Sequence, residues 1–152
     1  MTATVTPLST GHVGLNVSSL QRSREFYAEI LGLDLLREST AEGRRFAFLG
    51  KGSNVALTIW QQSDGRFEKG RPGLHHLSFQ APDIEAVRAA ERKLRARGVH
   101  FHYDGVVPHS EGQASGGIYF EDPDGIRLEI FATSGAGDRP AAVADGPACG
   151  FF

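Results

Sequence analysis

The chain has 152 residues, which fits one domain of common size whose core needs no metal or disulfide to hold it together. Its 40% hydrophobic and 22% charged residues and its formal net charge of -2 leave no basic excess for binding a nucleic-acid backbone. The single cysteine, Cys149, excludes an intramolecular disulfide, and no apolar run reaches the roughly 20 residues that a membrane span requires.

The first residues have the composition of a disordered segment. Residues 1–10 are rich in Thr, with Ala and Pro, and contain few groups that build a core, so we expect a disordered N-terminus. The same stretch lacks the charged and apolar regions of a signal peptide, and we therefore expect a cytoplasmic protein.

The next elements predict a first module over residues 11–62. The strand "GHVGLNV" precedes a segment with helical spacing of apolar residues from Leu20 to Leu31. Ser18 or Ser19 can cap this helix at its start, and Gly32 suits its end. Three extended stretches follow, "LDLLRES", "RFAFLG" and "VALTIWQ".

A linker over residues 63–73 leads to a second module over residues 74–134, which begins with the strand "LHHLSFQ". Its helix starts after the capping residue Asp83 and ends near Gly98. The predicted strands are then "VHFHYD", "GIYFED" and "IRLEIFA". The Gly- and Ala-rich residues 135–152 are expected to form a flexible C-terminal tail.

The two modules are copies of one pattern. "HVGLNVSSL", which begins at His12, aligns without a gap with "HLSFQAPDI", which begins at His76. Strand, helix and three strands are thus repeated in tandem, which predicts an α+β fold built from two βαβββ modules.

Strand alternation separates a helix-facing side from a polar side in each module. The apolar residues of "GHVGLNV" alternate, so they pack on the helix and His12 faces the other way. The same rule puts His76 and Glu129 on the polar side, where Thr58 is the first-module equivalent of Glu129. His75 falls on the helix side, where we expect a structural histidine with a hydrogen-bonded ring.

Two imidazoles and one carboxylate on a shared side form the ligand set of a facial triad, which leaves positions of an octahedral metal open. Each of the three residues taken alone is more often an ordinary hydrogen-bonded strand residue. Their joint placement at repeat-equivalent positions favours a metal site formed by His12, His76 and Glu129. Neutral histidine and ionised glutamate both suit Fe(II) or Mn(II).

The motifs "GHVGLNV", "REFYAEILGL", "GLHHLSF" and "DPDGIRLEIF" resemble the vicinal oxygen chelate superfamily. That family includes glyoxalase I, extradiol ring-cleaving dioxygenases, fosfomycin-resistance thiol transferases, methylmalonyl-CoA epimerase and metal-free bleomycin-binding proteins. The resemblance covers residues 11 to 132. It implies a cupped, barrel-like mixed sheet around a divalent metal that chelates two substrate oxygens, with the metal positions on His12, His76 and Glu129.

Departures from the family patterns favour some of its reactions over others. Glyoxalase I and the epimerase have a fourth ligand where this chain has Thr58, and the bleomycin-binding members lack the ligands that this chain keeps. Extradiol dioxygenases place a tyrosine and a loop histidine beside the substrate or bound oxygen, and Tyr119 and His109 match them. The resemblance thus favours an extradiol dioxygenase acting on a catechol-type substrate.

Other activities stay open. The loop "HSEG" resembles the potassium-binding loop of fosfomycin-type thiol transferases, but extra residues separate it from the tyrosine and Gly14 replaces a hydroxyl residue. A glyoxalase-like lyase and a non-catalytic antibiotic-binding resistance protein are the further alternatives. The expected partner is a small molecule, with no nucleic acid or membrane, and the linker allows a homodimer with swapped modules.

The residues around the predicted site indicate the size of the ligand. Ala47, taken as the repeat equivalent of Tyr119, leaves the wall of the site short. Aromatic surface is available from Trp60, Phe101 and Phe131, which predicts an apolar or aromatic ligand.

Overall fold

The computed structural model describes residues 5–152, apart from the side chain of Phe151. The first four residues of the predicted disordered N-terminus therefore lie outside the described residues. The chain divides into two compact units, one ending at Asp64 and the other beginning at Gly65. No helix of the described part combines the length and the apolar character that crossing a bilayer requires.

Unit 1 contains one helix and a four-stranded sheet. Its elements are β1 (Val13–Val17), α1 (Leu20–Leu31), β2 (Asp34–Ser39), β3 (Phe46–Lys51) and β4 (Asn54–Gln61). The strand order is β1-β4-β3-β2, in which β1 and β4 are parallel and the other neighbours are antiparallel. A parallel pair needs a crossover connection, and α1 with the β2–β3 hairpin supplies it.

Local sequence sets the bounds of α1. The Ser19 hydroxyl accepts a hydrogen bond from the backbone N–H of Arg22 at 3.4 Å, and Gly32 ends the helix in the left-handed conformation with φ of 63°. The helix packs on β3 and β4. The core residues shared by helix and sheet are Leu15, Val17, Leu20, Phe26, Tyr27, Ile30, Ala47, Leu49, Leu57 and Ile59.

The predicted equivalence of Ala47 and Tyr119 is wrong. In β3 and β4, Phe48 pairs with Thr58, whereas Ala47 pairs with Ile59 and is buried on the helix side. Paired residues of antiparallel strands point to the same face, so Phe48 is the residue beside Thr58. The sequence alignment of the two modules was shifted by one residue at β3. Because successive side chains of a strand point to opposite faces, this shift assigned Ala47 to the wrong face.

Unit 2 repeats the topology of unit 1. Its elements are β5 (Leu77–Gln80), α2 (Ile84–Ala96), β6 (Val107–Pro108), β7 (Gly116–Glu121), β8 (Arg127–Ala132) and a terminal 3₁₀ turn (Ala148–Phe151). The strand order is β5-β8-β7-β6, with β5 parallel to β8. The predicted α+β fold with two βαβββ modules is confirmed, as two four-stranded sheets, each with one helix.

The second helix begins at the predicted cap. The Asp83 carboxylate accepts a hydrogen bond from the backbone N–H of Ala86 at 2.8 Å. Glu85 lies in the first turn and two basic residues lie in the last, which suits the helix dipole. Val87, Ala90 and Leu94 are buried against β7 and β8.

One predicted strand is displaced. The stretch "VHFHYD" makes an isolated bridge between Phe101 and Phe120, and the regular strand that follows α2 is β6, which lies between this stretch and "GIYFED". The backbone N–H of His102 still donates to the carbonyl of Tyr119 at 2.8 Å, but the chain then leaves the sheet edge. Gly105, with φ of 77°, turns it back toward β6.

The C-terminal segment was predicted to be a flexible tail over residues 135–152. It has neither helix nor strand from residue 133 to residue 147, yet Ala136, Ala148 and Phe152 are buried. Flexibility is a statement about motion, and it stays a prediction for this segment.

Candidate functional site

The site of unit 2 is built around Glu129 in the middle of β8. Its register partners are Ser78 on the parallel strand β5 and Tyr119 on the antiparallel strand β7. Leu128 and Ile130 on either side point to the helix and are buried, so alternation turns Glu129 to the opposite face. Although on that face, Glu129 is only 4% exposed.

Both carboxylate oxygens of Glu129 face polar groups. Oε1 accepts hydrogen bonds from His109 Nε2 at 2.7 Å and from the Tyr119 hydroxyl at 3.1 Å. Oε2 lies 3.5 Å from His76 Nε2. The structure therefore brings four sequence-predicted residues of unit 2 together: His76, His109, Tyr119 and Glu129.

These contacts decide the charge of Glu129. Burial alone would raise its pKa, but hydrogen bonds from His109, Ser78 and Tyr119 outweigh that effect and leave the pKa below its ordinary value. The carboxylate is thus ionised near neutral pH, held by three donors.

Tyr119 is fully buried and acts as a neutral donor. Burial, followed by the neighbouring Glu129 carboxylate, raises the pKa of the phenol well above its ordinary value. A phenol that stays protonated at all physiological pH values can donate a hydrogen bond but cannot serve as a base.

His109 links Glu129 to Ser115. Its Nε2 faces the ionised carboxylate, which can only accept, so this nitrogen carries a proton. In the neutral ring Nδ1 then accepts a hydrogen bond from the Ser115 hydroxyl, 2.9 Å away. The resemblance predicts that His109 lies in a loop beside the substrate. In the structure both ring nitrogens contact protein groups, Ser115 and Glu129.

His76 lies between Glu129 and His75. Burial lowers the pKa of His76; the Glu129 carboxylate opposes this effect, and the neighbouring His75 and Arg127 side chains add to the lowering. His76 Nδ1 lies 2.8 Å from His75 Nδ1, and the direction of this hydrogen bond depends on the tautomers of the two rings. In the tautomer in which His76 Nδ1–H donates and His75 carries its proton on Nε2, the His76 Nε2 lone pair lies on the side of Glu129 Oε2. Two electron-rich atoms 3.5 Å apart suit a shared cation.

The prediction that His75 packs on the helix side is wrong. Strand β5 begins at Leu77, so alternation does not extend back to residue 75, and the His75 side chain is exposed. Its Nδ1 is hydrogen-bonded to His76 Nδ1, and its Nε2 lies 3.4 Å from the Arg127 guanidinium. His75 orients His76 instead of filling the core.

The remaining predicted ligand belongs to unit 1. His12 precedes β1 and is exposed, and Thr58 is buried, with its hydroxyl accepting a hydrogen bond from the Trp60 indole at 3.1 Å. Within residues 5–152 no group of three or more His, Cys, Asp or Glu side chains is gathered in a way that holds a metal ion. Unit 2 thus supplies two fitting donors, and the third ligand stays a prediction.

Sequence reasoning missed the C-terminal segment as part of the site. Phe152 and Ala148 form a buried cluster with Val107 and Tyr119, and Tyr103 and Cys149 pack against it. The one available signal is the pair of phenylalanines that ends a tail otherwise made of small and polar residues.

Residues 9–130 match the profile of the Glyoxalase/Bleomycin resistance protein/Dioxygenase superfamily. The chain belongs to this superfamily. The suspected resemblance is therefore confirmed, and members of the superfamily typically use divalent metal ions and bind small molecules.

Individual relatives of this superfamily member carry different names. A catechol-2,3-dioxygenase of Bacillus subtilis is 27% identical over 139 residues, which are 88% of this chain and 42% of that protein, so the chain spans less than half of its length. A lactoylglutathione lyase of Neisseria meningitidis serogroup A is 30% identical over 136 residues, covering 86% of this chain and 94% of the lyase.

A solved structure supports the fold. The glyoxylase/bleomycin resistance protein/dioxygenase domain from Frankia sp. superimposes with a TM-score of 0.70 at 27% identity, over 84% of this chain and 99% of that domain.

Proposed function

We propose that this protein is a divalent-metal-dependent enzyme of the extradiol dioxygenase type, acting on a catechol-type substrate, with the metal held by His12, His76 and Glu129. The observation that carries the proposal is the ionised Glu129 facing a neutral His76 nitrogen, with a neutral phenol beside them. Fe(II) is the proposed metal and Mn(II) the alternative. When bound, the metal would orient the two substrate oxygens and stabilise their negative charge.

The protein groups around Glu129 have separate tasks. Tyr119 is a permanent hydrogen-bond donor, so it would stabilise negative charge on oxygen and would not remove a proton. His109 is the group that would take up the substrate hydroxyl proton. The proton would enter at Nδ1, where Ser115 now donates, and the adjacent Glu129 carboxylate would stabilise the resulting imidazolium.

The similarity to the Bacillus subtilis catechol-2,3-dioxygenase supports this reaction class. A second candidate is a glyoxalase-like lyase, which the 30% identity to a lactoylglutathione lyase over nearly its full length favours. Against it, the position of a fourth ligand holds Thr58, whose hydroxyl is buried and engaged by Trp60. Without a carboxylate there, the lyase reaction would lack a base at the metal.

The test is oxygen consumption by protein that has been stripped with a chelator and reloaded anaerobically with Fe(II) or Mn(II). With a panel of catechols we expect oxygen uptake and a yellow ring-opened product. If hemithioacetal isomerisation or thiol addition to an epoxide proceeds instead, the lyase or the fosfomycin-type transferase replaces this proposal. If the protein binds ligands but catalyses none of these reactions, the alternative of a non-catalytic antibiotic-binding resistance protein replaces this proposal.

Two further parts of the proposal concern assembly and location. The modules can pair within one chain or across a homodimer. A monomer in sedimentation of the purified protein would exclude pairing across a homodimer. We also propose a cytoplasmic location. A reducing compartment keeps the proposed metal as Fe(II) and the free Cys149 as a thiol. Fractionation of the source cells tests it.

A further inference from the structure

The last residue of the chain covers the face of unit 2 on which Glu129 lies. Phe152 is 8% exposed, and its ring meets three aromatic rings edge to face. The centroid distances are 5.9 Å to His76, 5.6 Å to His102 and 5.2 Å to Tyr119. All three lie within the range of favourable aromatic pairs.

Few polar contacts hold the C-terminal segment in place. The backbone N–H of Ala148 donates to the carbonyl of His109 at 2.8 Å, and the Tyr103 hydroxyl donates to the carbonyl of Ala148 at 2.8 Å. Val107 and Tyr119 add apolar contacts. Further back along the segment, the backbone N–H of Ala141 donates to the Glu111 carboxylate at 3.3 Å. The buried contacts of the last residues, 147–152, are made by Ala148 and Phe152, and these residues are called the docked segment.

The residues before this docked segment form an irregular arm. Residues 137–147 contain no helix or strand, and most of them are exposed. The arm is anchored at Ala136, which is buried and donates its backbone N–H to the carbonyl of Ala114 at 2.9 Å. The docked segment can thus leave the face without breaking any strand pairing of the sheet.

We propose that the Phe152 ring occupies the subsite of a one-ring aromatic substrate, so that the C-terminal segment is an internal competitor of that substrate. The inference rests on the proposed function for the identity of the site. A benzene-sized ring fits because Phe152 itself is accommodated, between a metal-ligand candidate and the Tyr119 phenol. The Arg127 guanidinium, 5.9 Å from the ring centroid, favours an electron-rich ring such as that of a catechol.

Substrate can bind only to molecules in which the segment is open. The apparent affinity is therefore the intrinsic affinity multiplied by the fraction of open molecules. If nine in ten molecules are closed, removing the Phe152 ring should tighten ligand binding about tenfold. A segment that merely forms the wall of the site would have the opposite effect, because its loss would remove contacts with the ligand.

The first measurement is the binding of 4-nitrocatechol, followed by its visible absorbance, to the parent protein and to Phe152→Ala. We expect the variant to bind about tenfold more tightly. Val143→Ala is the matched control, since it trims an apolar side chain of the arm outside the docked segment, and its affinity should equal that of the parent. Equal or weaker binding by Phe152→Ala, or no binding by either protein, overturns the proposal.

The second measurement uses Cys149, the single cysteine, which packs against the docked cluster. Alkylation by N-ethylmaleimide, quantified by mass spectrometry, reports whether the segment has left. We expect 4-nitrocatechol to accelerate alkylation of the parent, and Phe152→Ala to react rapidly without ligand. Protection of Cys149 by the ligand would show that the segment closes over it, which contradicts the proposal.

Both measurements are made with metal-free and with Fe(II)-loaded protein. If catechols are not turned over but displace the segment, the proposed function fails and this inference stands. If catechols are turned over while Phe152→Ala leaves both affinity and alkylation unchanged, the inference alone fails.

Discussion

Glu129 keeps its negative charge in a nearly buried position because hydrogen bonds from three side chains compensate for the lost hydration. The pKa of Glu129 in the folded protein lies below the ordinary 4.5. As the pH falls toward this pKa, the unfolded chain therefore binds more protons than the folded protein does, and folding is destabilised. The stabilisation is complete above about pH 5 and is lost as the pH falls through the folded value. His76, with a pKa below the ordinary 6.5, acts in the same direction at higher pH.

The first prediction concerns acid stability. In metal-free protein the melting temperature should fall as the pH is lowered below about 5, and Glu129→Gln should show a shallower fall because it lacks the titrating carboxylate. Thermal denaturation at a series of pH values measures this. Glu42→Gln, at an exposed position, is the control and should follow the parent. If the melting temperatures of Glu129→Gln and of the parent fell equally with pH, the conclusion that Glu129 has a lowered pKa in the folded protein would be contradicted.

The second prediction concerns Tyr119. Replacing it with Phe removes one hydrogen bond to Glu129 and the donor near the substrate, so turnover should fall on the order of 10²-fold while metal content stays unchanged. Steady-state oxygen uptake and metal analysis measure the two effects. Tyr27→Phe, a buried tyrosine of unit 1, is the control, and its turnover should equal that of the parent. Loss of metal from Tyr119→Phe would make the phenol a structural support.

At the scale of the elements, β7 depends on glycine for its close approach to β8. A Cβ on Gly117 would lie 2.1 Å from the carbonyl oxygen of Ile130 and 2.7 Å from the Phe131 Cα, so the backbone itself would have to shift. Because Tyr119 follows two residues later on the same strand, this close approach also positions the site.

The third prediction is that Gly117→Ala destabilises the protein by about 2 kcal/mol or more, since overpacking against backbone is not relieved by side-chain rotation. Chemical denaturation gives the free energy of unfolding. Gly70→Ala, where the added Cβ meets nothing within 4 Å, should change stability little. Equal stability of the two variants would show that the strands separate without cost.

Local patterns were enough to predict most elements, and their limits have physical causes. A period of two put Glu129 and Tyr119 on one face, and caps at Ser19 and Asp83 marked both helices. The pattern failed for His75 because the strand starts two residues later. It also failed for "VHFHYD", because composition does not show where a sheet edge ends and the chain turns away.

At the scale of the whole molecule, the contacts of the C-terminal segment were not predictable. Phe152 is 33 residues from Tyr119 in the chain, and no local pattern links the two rings that lie 5.2 Å apart. A composition of small residues predicts a flexible tail, whereas Phe152 and Ala148 are buried against Val107 and Tyr119 in the structure. Packing between residues distant in sequence decides the outcome.

The fourth prediction concerns the removal of residues 138–152. The truncated protein should lose the apolar contacts of Phe152 and Ala148, so its melting temperature should fall by about 2–6 °C, as a loss of roughly 1–2 kcal/mol implies. Metal content should stay unchanged, because no proposed ligand is removed. A truncated protein that cannot fold would show that the segment is part of the core of unit 2.

The central claim is that one divalent metal binds each chain through His12, His76 and Glu129. The decisive measurement is the metal content, by mass spectrometry, of Fe(II)-loaded parent protein and of His12→Ala, His76→Ala, Glu129→Ala and the control His75→Ala. We predict one metal per parent chain, a sharp loss in each of the three ligand variants and retention in the control. Full metal content in His12→Ala or His76→Ala, or its loss from His75→Ala alone, would contradict the account.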